Sequence, residues 1–416
     1  MMNNWKKFLP WIMVVLALLT ITINSGMSAS ITSIFDTFLK DTFQIDNKHL
    51  HLLKWRDAIS DLSAAIFVFL AGVMIDRLGP KRVILFGTII LCLAYFLYSK
   101  TTNIYQVYGV HILLAVALVT SGSIPNIILV SSWFQRNRGL ALGIILTGTS
   151  LGGFIATKSP LLAYIESNGW RAAMQLLAVL PFLLAILVIL VMRNKPTSNG
   201  ETKENSTSTK QGSQSADGME FSAAIRTPLF ILLCLCSFCV FYSIVAMIKN
   251  TVLYVTEAGY PLTMAVNWLG TYFLFSIIGK FIFSFIADYV SAFYMYALCC
   301  ILMFIGSFGF SFASIAQLDY LMPVMAMGWG GIYSIGNLLI MRNFGTRAAG
   351  KINGTISIVQ SAGLALGPIL TAYLHDAFSY ATGFKVVSTL LLLACILSTR
   401  LVRHAIPATN ASTEKF

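Results

Sequence analysis

Twelve long apolar runs divide this chain, near residues 10–35, 52–76, 82–100, 104–132, 138–164, 171–192, 228–255, 262–287, 291–313, 317–341, 353–374 and 380–402. Short polar stretches separate them. A bilayer core about 30 Å thick needs about 20 apolar residues per helical crossing. A lipid-facing segment must also satisfy its own backbone polar groups, which within one segment only a helix does. The pattern therefore predicts an all-α membrane protein of twelve transmembrane helices. One polar interval is much longer than the rest: residues 194–220 contain no aromatic residue and are rich in Ser, Thr, Gly, Asn, Gln, Lys and Glu. Such a segment cannot bury enough apolar surface to offset its ordering entropy. The expected organisation is a six-helix bundle (1–193), a flexible linker (194–226), a second six-helix bundle (227–403) and a polar tail (404–416).

Composition agrees. The chain is 57% hydrophobic and only 11% charged, against about 25% charged in soluble domains. Its net charge of +12 could suggest a nucleic-acid partner, but the distribution excludes that reading. With loops assigned alternately to the two faces, eighteen of the 28 Lys and Arg fall on the side that holds both termini and eight on the other, while Lys249 and Lys280 lie inside apolar runs. This asymmetry is the positive-inside pattern. It predicts cytoplasmic termini in a plasma membrane, of the bacterial inner-membrane kind. Lys6-Lys7 before an apolar stretch imitates a signal peptide, but the run continues to Phe38, too long for a cleaved segment. All seven cysteines lie in apolar runs, so Cys236-x-x-Cys239 reads as packing. No metal-ligating, nucleotide-binding or nucleophilic constellation is present, so neither a cofactor nor an enzyme activity is expected.

The most informative polar interruption is Gly72-Val-Met-Ile-Asp76-Arg77-Leu-Gly79-Pro-Lys81-Arg82, with a worn echo at Ser284-Phe-Ile-Ala-Asp288-Tyr289. A charged turn repeated half a chain apart suggests a duplicated bundle, and so a transporter. The turn is similar to the signature between helices two and three of the major facilitator superfamily. Two further stretches resemble that superfamily's monocarboxylate porter and oxalate:formate antiporter branches. One is Trp133-Phe134, Arg138-Gly-Leu-Ala-Leu-Gly143 and Gly169-Trp-Arg171; the other is Phe344-Gly345, Gly350-Lys-Ile-Asn-Gly354 and Gly367-Pro368. The resemblance implies that Gly72, Asp76, Arg77, Gly79, Lys81 and Asp288 form cytoplasmic gate contacts. The residues alone leave open a simple topology-setting charge. Glycines at four- and five-residue steps (139, 143, 148, 152, 153) suit close helix packing.

Lys280 is the sharpest candidate for chemistry. It precedes Asp288, at the end of helix eight, by eight residues, or about 12 Å of helix. A charge at that depth costs at least about 2.5 kcal/mol and normally marks a pathway or a partner; an internal ion pair is the alternative. The resemblance places Gly279-Lys280 where the porters carry a substrate-binding arginine. This chain departs from that pattern with Lys for Arg, Ser276 where the porters have Asp, and Ala29 where others have Lys.

Lys249 reads as a snorkelling residue near the outer interface or as a second cavity cation. Asp57 and Asp61 lie one turn apart on one face of helix two, and Asp61 is the better proton carrier, because a buried carboxyl holds a proton more readily. An outer-end charge cluster with Arg56 is the alternative. Asn24, Asn126, Tyr242, Tyr272, Asn337 and Gln360 complete a candidate cavity, each also readable as an interhelical hydrogen bond. The expectation is a secondary transporter of small organic anions, monocarboxylates above all, driven by protons or a counter-anion and working by alternating access. A drug or solute exporter and a non-transporting membrane sensor are the competing readings.

Overall fold

A computed structural model describes residues 5–134, 137–194, 219–287, 289–312, 317–344 and 348–403. Among these, twelve helices are long and apolar enough to cross a membrane: α1 (Phe8–Ile34), α2 (Asn47–Leu78), α3 (Pro80–Tyr98), α4 (Ile104–Trp133), α5 (Arg138–Lys158), α6 (Trp170–Leu190), α7 (Pro228–Glu257), α8 (Leu262–Ile286), α9 (Ala292–Ser311), α10 (Leu318–Phe344), α11 (Lys351–Ala377) and α12 (Tyr380–Val402). Each coincides with one apolar run. Large apolar side chains such as Ile66, Phe69, Phe285 and Ile358 are exposed, as spans solvated by lipid allow.

The helices gather into two compact units whose boundaries cut across the linear halves. The first contains residues up to 211 together with Ala246–Leu274 and Leu364–Tyr380; the second contains 212–245, Phe275–Gly363 and the chain from Ala381. In the first unit, then, one end each of α7, α8 and α11 packs with the first six spans.

Three local features of the first unit follow directly from the sequence. Residues Thr22–Met27 of α1 form a π-helical turn, and all but Ile23 are buried. Opposite it, α5 comes so close that a Cβ at Gly26 would lie 2.7 Å from the Thr149 carbonyl oxygen and 2.8 Å from the Gly152 Cα. Only glycine permits that approach. In α4 the helix breaks at Gly122 (ψ −146°). Pro125 is the cause, since its ring excludes the carbonyl four residues earlier, here that of Ser121. The Asn126 side chain repairs the break, its Nδ2 donating to the Ser121 and Gly122 carbonyls at 2.9 and 2.7 Å. The turn between α2 and α3 runs through Gly79 at φ +78°, the left-handed region that disfavours side chains, and Pro80 then opens α3.

The second unit is knitted by aromatic pairs, Phe310 with Phe384 and Phe230 with Phe344, and by close approach of α8 to α10. A Cβ at Gly330 would lie 2.8 Å from the Lys280 amide nitrogen, and one at Gly279 2.9 Å from the Met327 Cα. Gly354, in contrast, has no neighbour within 4 Å of a built Cβ. The seven cysteines are all free, and Cys236 and Cys239 are buried.

Candidate functional site

The second unit holds Lys280. The residue is buried and lies six positions before Ile286, the end of α8, which is about 9 Å of helix. Its Nζ sits 4.8 Å from the centre of the Tyr333 ring, within the range of a cation–π interaction. Tyr333 is followed by Trp329, 6.0 Å between ring centres, and Trp329 meets Phe241 of α7 edge-on at 5.0 Å. The Gly279–Gly330 contact brings α8 and α10 together at this level, so the lysine is framed by rings and by backbone. Buried Ser276 lies one turn earlier on the same helix, and buried Tyr242 packs on Phe238. A cation so placed, with apolar rings beside it, can hold an anion that carries an apolar body. Gln360 is half-buried. Asn337 lies on α10, with its side chain outside the described atoms, and Asp288 lies outside the described residues.

The first unit holds a buried charge network. Lys249 of α7 pairs with Asp57 of α2 at 3.1 Å. Its Nζ also donates to the Ala29 carbonyl at 2.8 Å and to the Thr32 hydroxyl. The Lys54 Nζ donates to the Lys249 carbonyl and, at 2.5 Å, to Asp36. Arg56 donates to Asp36, to the Thr32 carbonyl at 2.7 Å and to the Tyr98 hydroxyl at 3.4 Å. Tyr98 in turn lies 3.4 Å from Nε2 of buried His111. Lys54, Arg56 and Asp36 are wholly buried. Burying charges is tolerated only when they pair and their remaining hydrogen-bonding capacity is met, which explains why five charged side chains cluster instead of scattering. Lys54 and Arg56 thus belong to the span and not to an external loop, and Lys249 is an ion-paired partner of Asp57. Asp61, one turn further along α2, is half-buried and makes no ion pair among the described residues.

The remaining candidates belong to the first unit. Asn24 donates to the Thr88 hydroxyl at 2.9 Å and leaves its Oδ1 without a partner, as does Asn126. Buried Tyr272 belongs to the first unit, its hydroxyl without a partner and its ring edge-on to Phe273. In the 72–82 turn, Asp76 and Arg77 are exposed, and Gly72 has open space around it. Lys81 ties the turn to the end of α6, its Nζ donating to the Ile189 carbonyl and its amide to the Asn194 side chain, both at 3.0 Å. The Gly169-Trp170-Arg171 stretch also does structural work here. Trp170 donates to Thr42 at 2.9 Å, and Arg171 stacks on Trp170 while donating to the Thr101 carbonyl at 2.9 Å.

Four ionisable residues escaped the sequence reading: His51, Glu257, His375 and Asp376, which meet in the first unit. Each sits at the edge of an apolar run, where charge is ordinary. The only sequence signal was the adjacency of His375 and Asp376.

Comparison with known proteins places this architecture. The chain is 24% identical over 258 residues to the agnestins efflux protein AgnL12 of Paecilomyces divaricatus, covering 62% of this chain and 56% of that protein. It is 23% identical over 344 residues to the MFS transporter asaE of Aspergillus flavus, covering 80% and 74%. A solved structure of a bacterial homolog of the human lysosomal transporter Spinster superposes with a TM-score of 0.74 at 13% identity, over 96% of this chain and 97% of that one. The Major Facilitator Superfamily model matches residues 16–368, and the chain belongs to that superfamily of membrane transporters.

Proposed function

We propose that this transporter carries organic anions by alternating access, with the carboxylate of the solute seated on Lys280. One observation carries the reading: a lysine buried in a membrane span beneath the Tyr333 ring, at a level where glycines bring α8 and α10 together. A cation inside a membrane span normally marks a pathway or a partner, and a carboxylate beside it gains a charge-assisted hydrogen bond. Lysine is a point charge without arginine's bidentate fork, which suits a single carboxylate on a varied body. Monocarboxylates are the first class to test. The linked rings of Tyr333, Trp329 and Phe241 favour acids with an apolar or aromatic portion. The surrounding assignments belong to the same proposal: halves 1–193 and 227–403 joined by 194–226, cytoplasmic termini in a plasma membrane, the 72–82 turn as a cytoplasmic gate element, and Asp61 as a proton carrier.

A second reading, export of a larger solute, is favoured by the name of one relative, an efflux protein for agnestins. The two readings differ in direction and solute size, and Lys280 can serve both. An exporter of cations would instead call for a carboxylate at this level.

Uptake by purified protein in proteoliposomes tests the proposal, with labelled lactate, pyruvate, formate, oxalate and an aromatic carboxylic acid, each with and without a pH gradient. At least one acid should accumulate, and Lys280→Gln should reduce its transport at least about tenfold, the loss expected for one charge-assisted hydrogen bond. Full-rate transport of every acid by Lys280→Gln would sink the anchor.

A further inference from the structure

The four residues at the edges of their spans form a continuous chain. Glu257 ends α7, His375 and Asp376 lie near the end of α11, and His51 lies near the start of α2. His375 Nε2 contacts the Glu257 carboxylate at 2.8 Å, and His375 Nδ1 contacts Asp376 at 2.9 Å. The other oxygen of Asp376 meets His51 Nδ1 at 2.6 Å. Asp376 also accepts from the backbone N–H groups of Leu50 and His51 at 3.2 and 3.1 Å, the anion position at a helix N-terminus. Both imidazoles are clamped by stacking, His51 on Tyr373 at 4.2 Å and His375 on Tyr380 at 4.0 Å. Tyr373 is held by the Trp55 indole at 3.3 Å.

The hydrogen-bond arithmetic at His375 requires one extra proton. A neutral imidazole has one N–H and one lone pair. Here both ring nitrogens face carboxylate oxygens, which have only lone pairs to offer when ionised. The arrangement is satisfied when both nitrogens carry protons, or when one carboxyl does. Either way it holds one proton more than a neutral imidazole set between two carboxylates. His51 imposes no such demand, since one N–H towards Asp376 suffices.

We propose that Glu257, His375, Asp376 and His51 form a proton-binding latch. One proton centred on His375 holds the ends of α2, α7 and α11 together, and its loss releases them. A proton bound by only one of two arrangements shifts the balance towards that one. Acid on this face keeps the end closed, and a rise in pH opens it. The proposal rests on alternating access but not on Lys280 or on the identity of the solute. The titratable groups around His375 are Glu257 of α7, with Tyr254 beyond it against Tyr380; Asp376 and Tyr373 of α11; Tyr380 of α12; and His51 of α2 with His49 behind it. Asp36 lies within electrostatic reach of Tyr380.

Pulsed electron-resonance distances test this on the full-length reconstituted protein, with nitroxides on cysteines introduced at the exposed positions Lys48 and Phe378. In the wild-type background the short distance should dominate at acid pH, and a longer one should grow as the pH is raised. The ratio should change by at most about tenfold per pH unit for one proton. Glu257→Gln should keep the short distance throughout, because an amide N–H can donate to Nε2 and a neutral His375 then suffices. His375→Phe, which keeps the ring stack, should show the longer distance throughout. A pH-independent wild type, or a Glu257→Gln protein with the wild-type slope or without the short distance, would overturn the latch. A wild type that transports no organic anion would instead defeat the reading of Lys280 and leave these distances as they are.

Discussion

A buried ion pair shows its worth most clearly when one partner is removed. Lys249 and Asp57 are held at 3.1 Å within a network that also contains Lys54, Arg56 and Asp36. Asp57→Asn would leave Lys249 without its carboxylate and should cost about 3 kcal/mol or more, seen as a lower midpoint of thermal unfolding in detergent. Adding Lys249→Met should recover part of that loss, because the orphaned charge goes with it. A double variant no more stable than Asp57→Asn would show that the pair is not the coupled unit described here. Asp61 behaves differently in this account. It makes no ion pair among the described residues, so Asp61→Asn should disturb unfolding less than Asp57→Asn while flattening the dependence of transport on the proton gradient. Unchanged pH dependence would remove its coupling role. At this scale the sequence spoke unevenly. The burial of Lys280 was legible because the residue lies inside a long apolar run. Lys54 and Arg56 were not, because they sit where a run begins and look like loop charges. Their partner Asp36 comes from another span, a pairing visible only in three dimensions.

Elements were the most readable level, and their irregularities had physical causes that could be read in part. The glycines of α5 suggested close packing, and the structure separates them. Gly148 and Gly152 face the π-helical turn of α1, whereas Gly139 and Gly143 have open space around them. Gly152→Val should therefore cost about 1–3 kcal/mol through overpacking, while Gly143→Ala should be close to neutral, both measured by thermal unfolding. Equal effects would contradict the contact. Asn126 was expected to line a cavity or to make an interhelical bond. Instead it mends its own helix, where Pro125 displaces the Ser121 carbonyl. Asn126→Leu removes both hydrogen bonds and should destabilise by about 1–3 kcal/mol. No periodicity could have announced that role, because it depends on a backbone break that the sequence marks only by one proline.

For the whole molecule, twelve apolar runs became twelve spans, and the charged turn at 72–82 pointed to the superfamily that the match over residues 16–368 establishes. The compact units were less legible. Hydropathy divides the chain into linear halves, but packing assigns Ala246–Leu274 and Leu364–Tyr380 to the unit of the first six spans. The charge network and the histidine–carboxylate chain explain why, since both fasten those segments through polar contacts that an apolar pattern cannot reveal. The central claim remains that a solute carboxylate rests on Lys280. Equilibrium binding of a carboxylic acid and of its neutral amide, to the wild type and to Lys280→Gln, tests it most directly. The wild type should prefer the acid by about tenfold or more, and the variant should bind the two alike. An undiminished preference for the acid in Lys280→Gln would contradict the account.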